Sequence, residues 1–268
     1  MKTISLVALT ALSCAVTLGA HSNIARACGG CFSPPPVQQE QGTVVTGHRM
    51  ALSITPDRTV LWDRDPALIM AVDDVPKDAV TSGRILMVDC HETAVATRAA
   101  RYARDAKIPT IVDVEKVRPG IADLLQNIDA IIAAQEFPCA LTGHEDLGRA
   151  LGAIGREFGA SLVCATLGRD GSLTWCNGRE IRTAGFQVDC VDSTGAGDVF
   201  RGAFAAGCLR APDDDIEEVL IYANAVAALN CRALGSRGAL PSPEEVDQLR
   251  HGRLINAKNA TVPPRINC

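Results

Sequence analysis

The sequence predicts an α/β fold in which helices cover both faces of a mostly parallel sheet. From about residue 75, short apolar runs typical of buried strands alternate with amphipathic helical segments. A strand at 85–88, a helix at 93–106 and a strand at 109–112 form one βαβ unit, a connection that joins parallel strands. The 268-residue chain is 47% hydrophobic and 21% charged, so it can bury one substantial core.

The same alternation predicts the other elements of this region. Between the strands at 172–175 and 180–183, Cys176, Asn177 and Gly178 supply turn chemistry, so these two strands are expected to be antiparallel. The remaining predicted strands are 130–133 and 162–166, and the remaining predicted helices are those near 121–126 and at 147–158, 196–209, 215–231 and 243–249.

The first 27 residues have the pattern of a secretory signal. Lys2 precedes an apolar run at 4–20, and Ala25 and Ala27 form a small-x-small cleavage pattern before Cys28. The run is too short for a comfortable transmembrane span, so no membrane span is expected in the mature chain. The alternative is an apolar helix packed into a core. The widely spaced single cysteines further along the chain instead favour a reduced, cytoplasmic location.

Residues 28–74 are expected to form an appendage separate from the α/β region. The Pro- and Gly-rich stretch 28–42 is typical of a linker or irregular cap, and 43–54 with 59–62 predicts a β-hairpin. Its Cys-Gly-Gly-Cys-Phe and Thr-Val-Leu-Trp-Asp strings resemble the start of a secreted bacterial domain of unknown function. Cys28 and Cys31 fit a disulfide, unpaired thiols, a redox pair or half of a zinc site that no second pair completes.

Charge and composition argue against a nucleic-acid partner. The formal net charge is −5 and only 4% of the residues are aromatic. Such a chain lacks the basic face and the stacking side chains on which nucleic-acid binding depends.

A glycine-rich turn at 192–204 carries the clearest chemical signal. Gly195-Ala196-Gly197 opens a helix, and backbone N–H groups at a helix start favour an anion such as phosphate. The dinucleotide-binding pattern fails because Phe200 stands where its third glycine belongs, and the P-loop pattern fails after Gly202. Asp198 could accept a proton from an attacking hydroxyl. Alternatively, it is an acidic residue favoured by the helix dipole.

The string Asp-Ser-Thr-Gly-Ala-Gly-Asp-Val-Phe-Arg-Gly closely resembles the signature of the ribokinase/PfkB family of sugar kinases, over about residues 75–250. The resemblance implies a ribokinase-like three-layer sandwich, incomplete at its N-terminal side, with a tail at 251–268. It implies transfer of the γ-phosphoryl group of ATP to a hydroxyl of a sugar or related polyol. Asp198 would be the catalytic base, and the amides of Gly195, Ala196 and Gly197 the anion hole.

The resemblance also assigns ligand contacts, each of which has an alternative as a turn, cap or packing residue. It places Thr166, Gly168 and Gly171 in the phosphate-side nucleotide loop and Asn224 in the adenine pocket. The positions that would hold a monovalent cation such as K⁺ are Asp192, Thr194, Gly238 and Ser242.

Two departures from the family pattern bear on activity. Ala134 and Phe137 fall where the family has an Asn-x-x-Glu motif for Mg²⁺ and phosphate, and Glu136 would serve only after a one-residue shift. The family's early Gly-Gly sugar-binding turn has no counterpart. A non-catalytic nucleotide-binding remnant fused to an exported N-terminus is therefore the alternative, and a secreted thiol-disulfide protein is a third. His91, after a predicted strand, is either a substrate contact or a solvated loop residue.

Overall fold

The computed structural model describes residues 49–54, 59–64, 69–210 and 215–252. The chain divides after Leu68 into two compact units. In the first unit, β1 (Arg49–Ile54) pairs antiparallel with β2 (Thr59–Arg64), with Arg49 opposite Arg64 and Ile54 opposite Thr59. This pairing is the hairpin expected from the sequence. The signal-like segment 1–27, the Cys28 and Cys31 pair and the start of the hairpin lie outside the described residues.

The second unit contains one six-stranded sheet with the strands in chain order. Strands β3 to β6 are parallel, and β7 and β8 are antiparallel to their neighbours. The strands are β3 (Leu86–Asp89), β4 (Thr110–Val114), β5 (Ala130–Ala134), β6 (Leu162–Thr166), β7 (Ser172–Cys176) and β8 (Arg179–Thr183). The mostly parallel sheet confirms the predicted fold class.

Helices connect and flank these strands. They are α1 (Lys77–Thr81), α2 (Thr93–Asp105), α3 (Ile121–Leu125), α4 (Phe137–Thr142), α5 (Leu147–Phe158), α6 (Ala196–Arg210), α7 (Ile216–Asn230) and α8 (Pro243–Arg250). Helices α1 and α4 were not predicted from the sequence, whereas the other six match predicted helices to within one or two residues. Within the described ranges, no helix is both long enough and apolar enough to cross a membrane.

Alternate residues along the central strands serve two separate hydrophobic clusters. Val112 and Ile131 belong to one cluster, whereas Ile111 and Ile132, their chain neighbours, belong to the other. Because successive strand side chains point to opposite faces, a strand that is apolar at every position must be covered on both sides. The sheet is therefore the middle layer of three.

Different parts of the chain cover the two faces. Leu124 of α3 and Leu151 of α5 pack in the first cluster, which is built from residues between Cys90 and Leu173. Phe200 of α6 and Leu220 of α7 pack in the second cluster. The helix that follows the glycine-rich turn is thereby held against the sheet.

The antiparallel strands β7 and β8 return the chain to the carboxyl ends of the parallel strands. Thr166, at the end of β6, pairs with Ser172 at the start of β7, and Thr183, at the end of β8, pairs with the same Ser172. The segment after β8 therefore leaves the sheet at the side where the carboxyl ends of the parallel strands lie. That segment leads directly into the glycine-rich turn, as ligand-binding loops do in open α/β sheets.

Candidate active site

The glycine-rich turn is tightly built against a neighbouring loop. Gly195 has φ +77°, and a Cβ atom there would lie 2.6 Å from the Cβ and 2.9 Å from the Cα of Ser236. Only glycine fits this combination of left-handed backbone and close approach. The amide of Ala196 donates to the carbonyl of Ser193 at 3.1 Å, so one of the three amides predicted for the anion hole already belongs to a turn.

Asp198 lies in the first turn of α6, directly after this turn, and its side chain is 76% exposed. Its Oδ1 is 3.7 Å from Nη1 of Arg201, one helical turn further on. An exposed carboxylate at a helix start beside a glycine turn can meet both a hydroxyl and a phosphoryl group. The structure thus brings Asp198 and the predicted anion hole together.

Arg201 and Asp113 add to this site a buried ion pair that the sequence did not predict. Nη2 of Arg201 lies 2.5 Å from Oδ1 of Asp113 at the end of β4, and the arginine side chain is only 8% exposed. The signal available in the sequence was weak: a charged residue in the apolar run Thr-Ile-Val-Asp-Val and a basic residue three positions after Asp198. Neither pattern says that the two side chains meet.

Burial raises the pKa of the Asp113 carboxyl to about 7. Arg201 opposes this rise by favouring the charged carboxylate, whereas the negative charges of Glu115, Asp198 and Asp89 add to it. Asp89 is the register partner of Asp113 on β3. Asp113 is therefore poised to change its charge near neutral pH.

Asp192 fixes the segment before the glycine turn. Its Oδ1 accepts from the amide of Thr194 at 2.9 Å and its Oδ2 accepts from the amide of Gly235 at 2.8 Å. The hydroxyl of Thr194, followed by these two amides, lowers the pKa of the Asp192 carboxyl. Of the four residues predicted to hold a monovalent cation, Asp192 and Thr194 are thus in contact with each other.

The other two predicted cation ligands have local roles in the backbone. The amide of Gly238 donates to the carbonyl of Gly235 at 3.0 Å in a turn, and a Cβ at Gly238 would lie 2.3 Å from the carbonyl oxygen of Leu234. Ser242 caps α8 through a reciprocal pair of hydrogen bonds with Glu245. Their ligand role stays a prediction.

The predicted nucleotide loop follows β6 and is closed by glycine. Gly168 begins a short 3₁₀ turn with φ +58°, and the amide of Leu167 donates to the carbonyl of Gly171 at 2.8 Å. A Cβ at Gly171 would lie 2.1 Å from the carbonyl oxygen of Thr183, so this glycine allows a close backbone approach. The hydroxyl of Thr166 donates to the carbonyl of Ala133 at 3.4 Å.

Asn224, predicted to line the adenine pocket, is buried in α7 and already makes polar contacts. Its amide nitrogen donates to Oγ1 of Thr183 at 2.8 Å and to Oγ of Ser172 at 3.2 Å. The two hydroxyls are 2.6 Å apart. This arrangement accounts for a buried asparagine without a ligand, and the adenine contact stays a prediction.

Glu136 is the residue that immediately precedes α4, close to the end of β5, and it is exposed. Phe137, by contrast, is 1% exposed and belongs to the core. An exposed carboxylate suits Mg²⁺, which takes one or two carboxylates together with waters and phosphates. No group of three or more metal-ligating side chains occurs in the part of the chain that the structure describes. His91 lies beyond β3, and its Nδ1 is 3.3 Å from Nη2 of Arg118.

A solved structure shares the architecture of this protein. The ribokinase of Arabidopsis thaliana, solved with ribose and ATP, matches with a TM-score of 0.61 at 24% identity, over 76% of this chain and 69% of that chain. The fold is that of the ribokinase-like α/β proteins, as the sequence predicted.

The family of the chain follows from its sequence. The sequence model of the pfkB family of carbohydrate kinases matches residues 63–243, which are more than half of the chain. The chain belongs to the pfkB family of carbohydrate kinases. This confirms the resemblance seen in the glycine-rich signature, and the matched region begins before residue 75, where the kinase region was expected to start.

Curated relatives include two sugar kinases. The ribokinase of Bacillus subtilis is 29% identical over 149 residues, which are 56% of this chain and 48% of the relative. The fructokinase of Escherichia coli is 27% identical over 139 residues, which are 50% of this chain and 45% of the relative. The chain therefore spans about half the length of these curated relatives.

Proposed function

We propose that the chain transfers the γ-phosphoryl group of ATP to a hydroxyl of a sugar or related small polyol. The observation that carries the proposal is the exposed carboxylate of Asp198 in the first turn of α6, directly after the Gly195 turn. This geometry lies inside the region that matches the pfkB family. The names of the relatives, a ribokinase and a fructokinase, support a sugar as the acceptor.

In the proposed reaction, Asp198 accepts the proton of the acceptor hydroxyl while the hydroxyl oxygen forms a bond to the γ-phosphorus. The bond from that phosphorus to the β–γ bridging oxygen breaks, and ADP leaves with the electron pair. The amides of Gly195 and Gly197 are proposed to stabilise the negative charge on the transferring group, as donors at a helix start do. The amide of Ala196, which donates to the carbonyl of Ser193 in this structure, would be shared with that group. Asp198 ends the step as a neutral acid and returns the proton to solvent.

Ions are the second part of the proposal. Mg²⁺ would neutralise phosphate charge, and the exposed carboxylate of Glu136 is the side chain offered to hold it. A monovalent cation such as K⁺ would be held near Asp192, whose two oxygens already gather the amides of Thr194 and Gly235. Thr166, Gly168, Gly171 and Asn224 are proposed to contact the nucleotide.

The test is ADP release stimulated by a sugar. Wild type should release ADP faster with at least one member of a panel of hexoses and pentoses, and Asp198→Asn should lower that rate by about 10²- to 10⁴-fold because an amide cannot accept the proton. Asp78→Asn is the matched control, since Asp78 is an exposed acidic residue in the first turn of α1. Equal stimulated rates in wild type and Asp198→Asn would remove Asp198 from the mechanism.

Nucleotide binding is measured separately. Millimolar ATP or ADP with Mg²⁺ should raise the melting temperature of both wild type and Asp198→Asn, because a ligand that binds the folded state stabilises it. No shift with either nucleotide, together with no heat of binding in calorimetry, would contradict the anion site.

A non-catalytic nucleotide-binding protein is the second candidate. One observation favours it: Phe137, in place of the family's glutamate, is buried in the core. This candidate predicts a nucleotide-dependent melting shift without ADP release from any sugar. The kinase proposal predicts both.

A further inference from the structure

A single buried arginine contacts two carboxylates that belong to different layers of the fold. Arg201 lies on α6, and its guanidinium reaches Asp113 on β4 at 2.5 Å and Asp198 on its own helix at 3.7 Å. The arginine side chain is 8% exposed, that of Asp113 is 20% exposed, and that of Asp198 is 76% exposed. The guanidinium therefore joins an interior carboxylate to a solvent-facing one.

The pairing leaves part of the hydrogen-bonding capacity of the arginine unused. Nε of Arg201 is buried and, within the described residues, has no hydrogen-bond partner, and Oδ1 of Asp113 has close charge contact without hydrogen-bond geometry. A fully satisfied arginine–carboxylate pair would instead be bidentate, with two parallel N–H···O bonds. The one positive charge of the guanidinium is therefore shared between two carboxylates and is not held by a bidentate pair with either.

We propose that Arg201 is a positioning residue that transmits the charge state of Asp113 to Asp198. This inference rests on the proposed role of Asp198 as the base. When Asp113 is a carboxylate, it holds the guanidinium against β4 and leaves the oxygens of Asp198 available to an acceptor hydroxyl. When Asp113 is protonated, the guanidinium is attracted to Asp198 alone and competes with the acceptor hydroxyl for the oxygens of Asp198.

The pH range follows from the groups that face Asp113. These are Arg201 and Asp198 of α6, Asp89 of β3 and Glu115 just beyond β4, while its register neighbour on β5 is the apolar Ile132. Burial raises the pKa of Asp113 to about 7, so it changes charge near neutral pH. The turnover number should therefore increase as the pH rises through about 7.

The first experiment follows the side-chain carboxyl carbon of Asp198 by NMR during a pH titration of the whole chain. In wild type, this signal should show a step with a midpoint near the pKa of Asp113, about 7. The step should disappear in Asp113→Asn, which keeps Arg201, and in Arg201→Gln, which keeps Asp113. It should persist in Arg179→Gln, a control that removes an exposed arginine paired with Glu217.

A purely structural arginine would give a different result. If the Asp198 signal shows no step near pH 7 in wild type, or if the step survives in Arg201→Gln, the proposal is overturned. If Arg201→Gln does not fold, Arg201→Lys replaces it, since a lysine keeps the charge and should keep a smaller step. Asp113→Asn remains informative in either case because it leaves the arginine in place.

The second experiment uses turnover and separates this proposal from that for the reaction. With a sugar that stimulates ADP release, wild-type kcat should change by up to about tenfold between about pH 6 and about pH 8. Asp113→Asn should flatten this dependence while KM for ATP stays nearly constant, and a pH profile that Asp113→Asn leaves unaltered would contradict the proposal. If no sugar is a substrate, the proposed reaction fails, and the NMR titration still decides the coupling through Arg201.

Discussion

Oδ2 of Asp192 accepts a 2.8 Å hydrogen bond from the backbone amide of Gly235, which lies in the loop after α7. The same carboxylate accepts from the amide of Thr194 through its other oxygen. In addition, the carbonyl of Cys231 accepts from the amides of Val191 and Asp192 at 2.8 and 3.1 Å. The segment that enters the glycine-rich turn is therefore fixed to the end of α7 by both side-chain and backbone bonds.

We predict that Asp192→Ala destabilises the fold and weakens nucleotide binding. Hydrogen bonds to a charged group contribute about 1.5–3 kcal/mol each when buried, and partial exposure of this carboxylate reduces the expected loss to about 1 kcal/mol. That corresponds to a fall of about 2–4 °C in Tm for a chain of this size. Urea unfolding and calorimetry with ATP measure the two effects.

The contribution of the Asp192 carboxylate to the free energy of unfolding depends on pH with a definite sign. Since hydrogen bonding lowers the pKa of Asp192 in the folded state, its stabilisation is present above the ordinary aspartate pKa and is lost as the pH falls through the folded value. The difference in unfolding free energy between wild type and Asp192→Ala should thus shrink in acid. If this difference grows as the pH falls, the charged form of Asp192 is not the form that stabilises the fold.

Gly195→Ala should disrupt the anion site, whereas Gly202→Ala should not. The first substitution puts a Cβ at φ +77° and within 2.9 Å of the backbone of Ser236, and the second places a Cβ with nothing within 4 Å inside α6. A helix-interior alanine in place of glycine stabilises by about 0.5–1 kcal/mol. Gly195→Ala should lower the melting temperature and weaken ATP binding. Gly202→Ala should raise the melting temperature and leave ATP binding unchanged. Normal ATP binding by Gly195→Ala would remove this turn from the site.

Asn224→Ala separates a structural role from a ligand contact. Loss of the bonds to Ser172 and Thr183 leaves buried hydroxyls with one partner fewer, which should cost about 1–3 kcal/mol in unfolding free energy. Thr110→Val is the matched control, because Thr110 is also buried and donates a hydrogen bond, to the carbonyl of Asn127 at 3.1 Å, but lies at the start of β4, at the opposite end of the strand from Asp113. If Asn224 also contacts adenine, only Asn224→Ala should weaken ATP binding beyond its effect on folding.

Residues 1–27 should direct export if the signal-like pattern is functional. A reporter fused to them should leave the cytoplasm and be cleaved near Cys28. Fractionation followed by mass spectrometry of the reporter identifies both its location and its N-terminus. An uncleaved cytoplasmic reporter would contradict the signal and agree with the location in which a kinase finds ATP.

The sequence predicted the central sheet because its strands carry a strong local signal. The apolar runs at 130–133 and 162–166 became β5 and β6, with ends that moved by at most one residue. Helix α4 was missed because Pro138 follows its first residue, and a proline in a short apolar run is typical of a turn as well as of a helix start. Local patterns thus identify an element where no turn-forming residue makes them ambiguous.

The candidate site was only partly predictable, for a different physical reason. The glycine turn and Asp198 are contiguous in sequence, so one motif specifies them together. The pair formed by Asp113 and Arg201 depends on which residue of α6 faces the end of β4, and that is set by packing of the helix on the sheet. No local pattern encodes such a distance between remote segments.

The separate origins of the two hydrophobic layers have a consequence for how the chain is made. During synthesis, β3 to β5 leave the ribosome with α2 and α3, which can already cover one side of the growing sheet. The opposite side, including Ile111 and Ile132, waits for α6 and α7, which are translated after β8. A nascent chain that stops before α6 should therefore present a bare apolar surface, bind a hydrophobic dye and attract chaperones. Completion of α6 and α7 would cover that surface in the same event that assembles the candidate site.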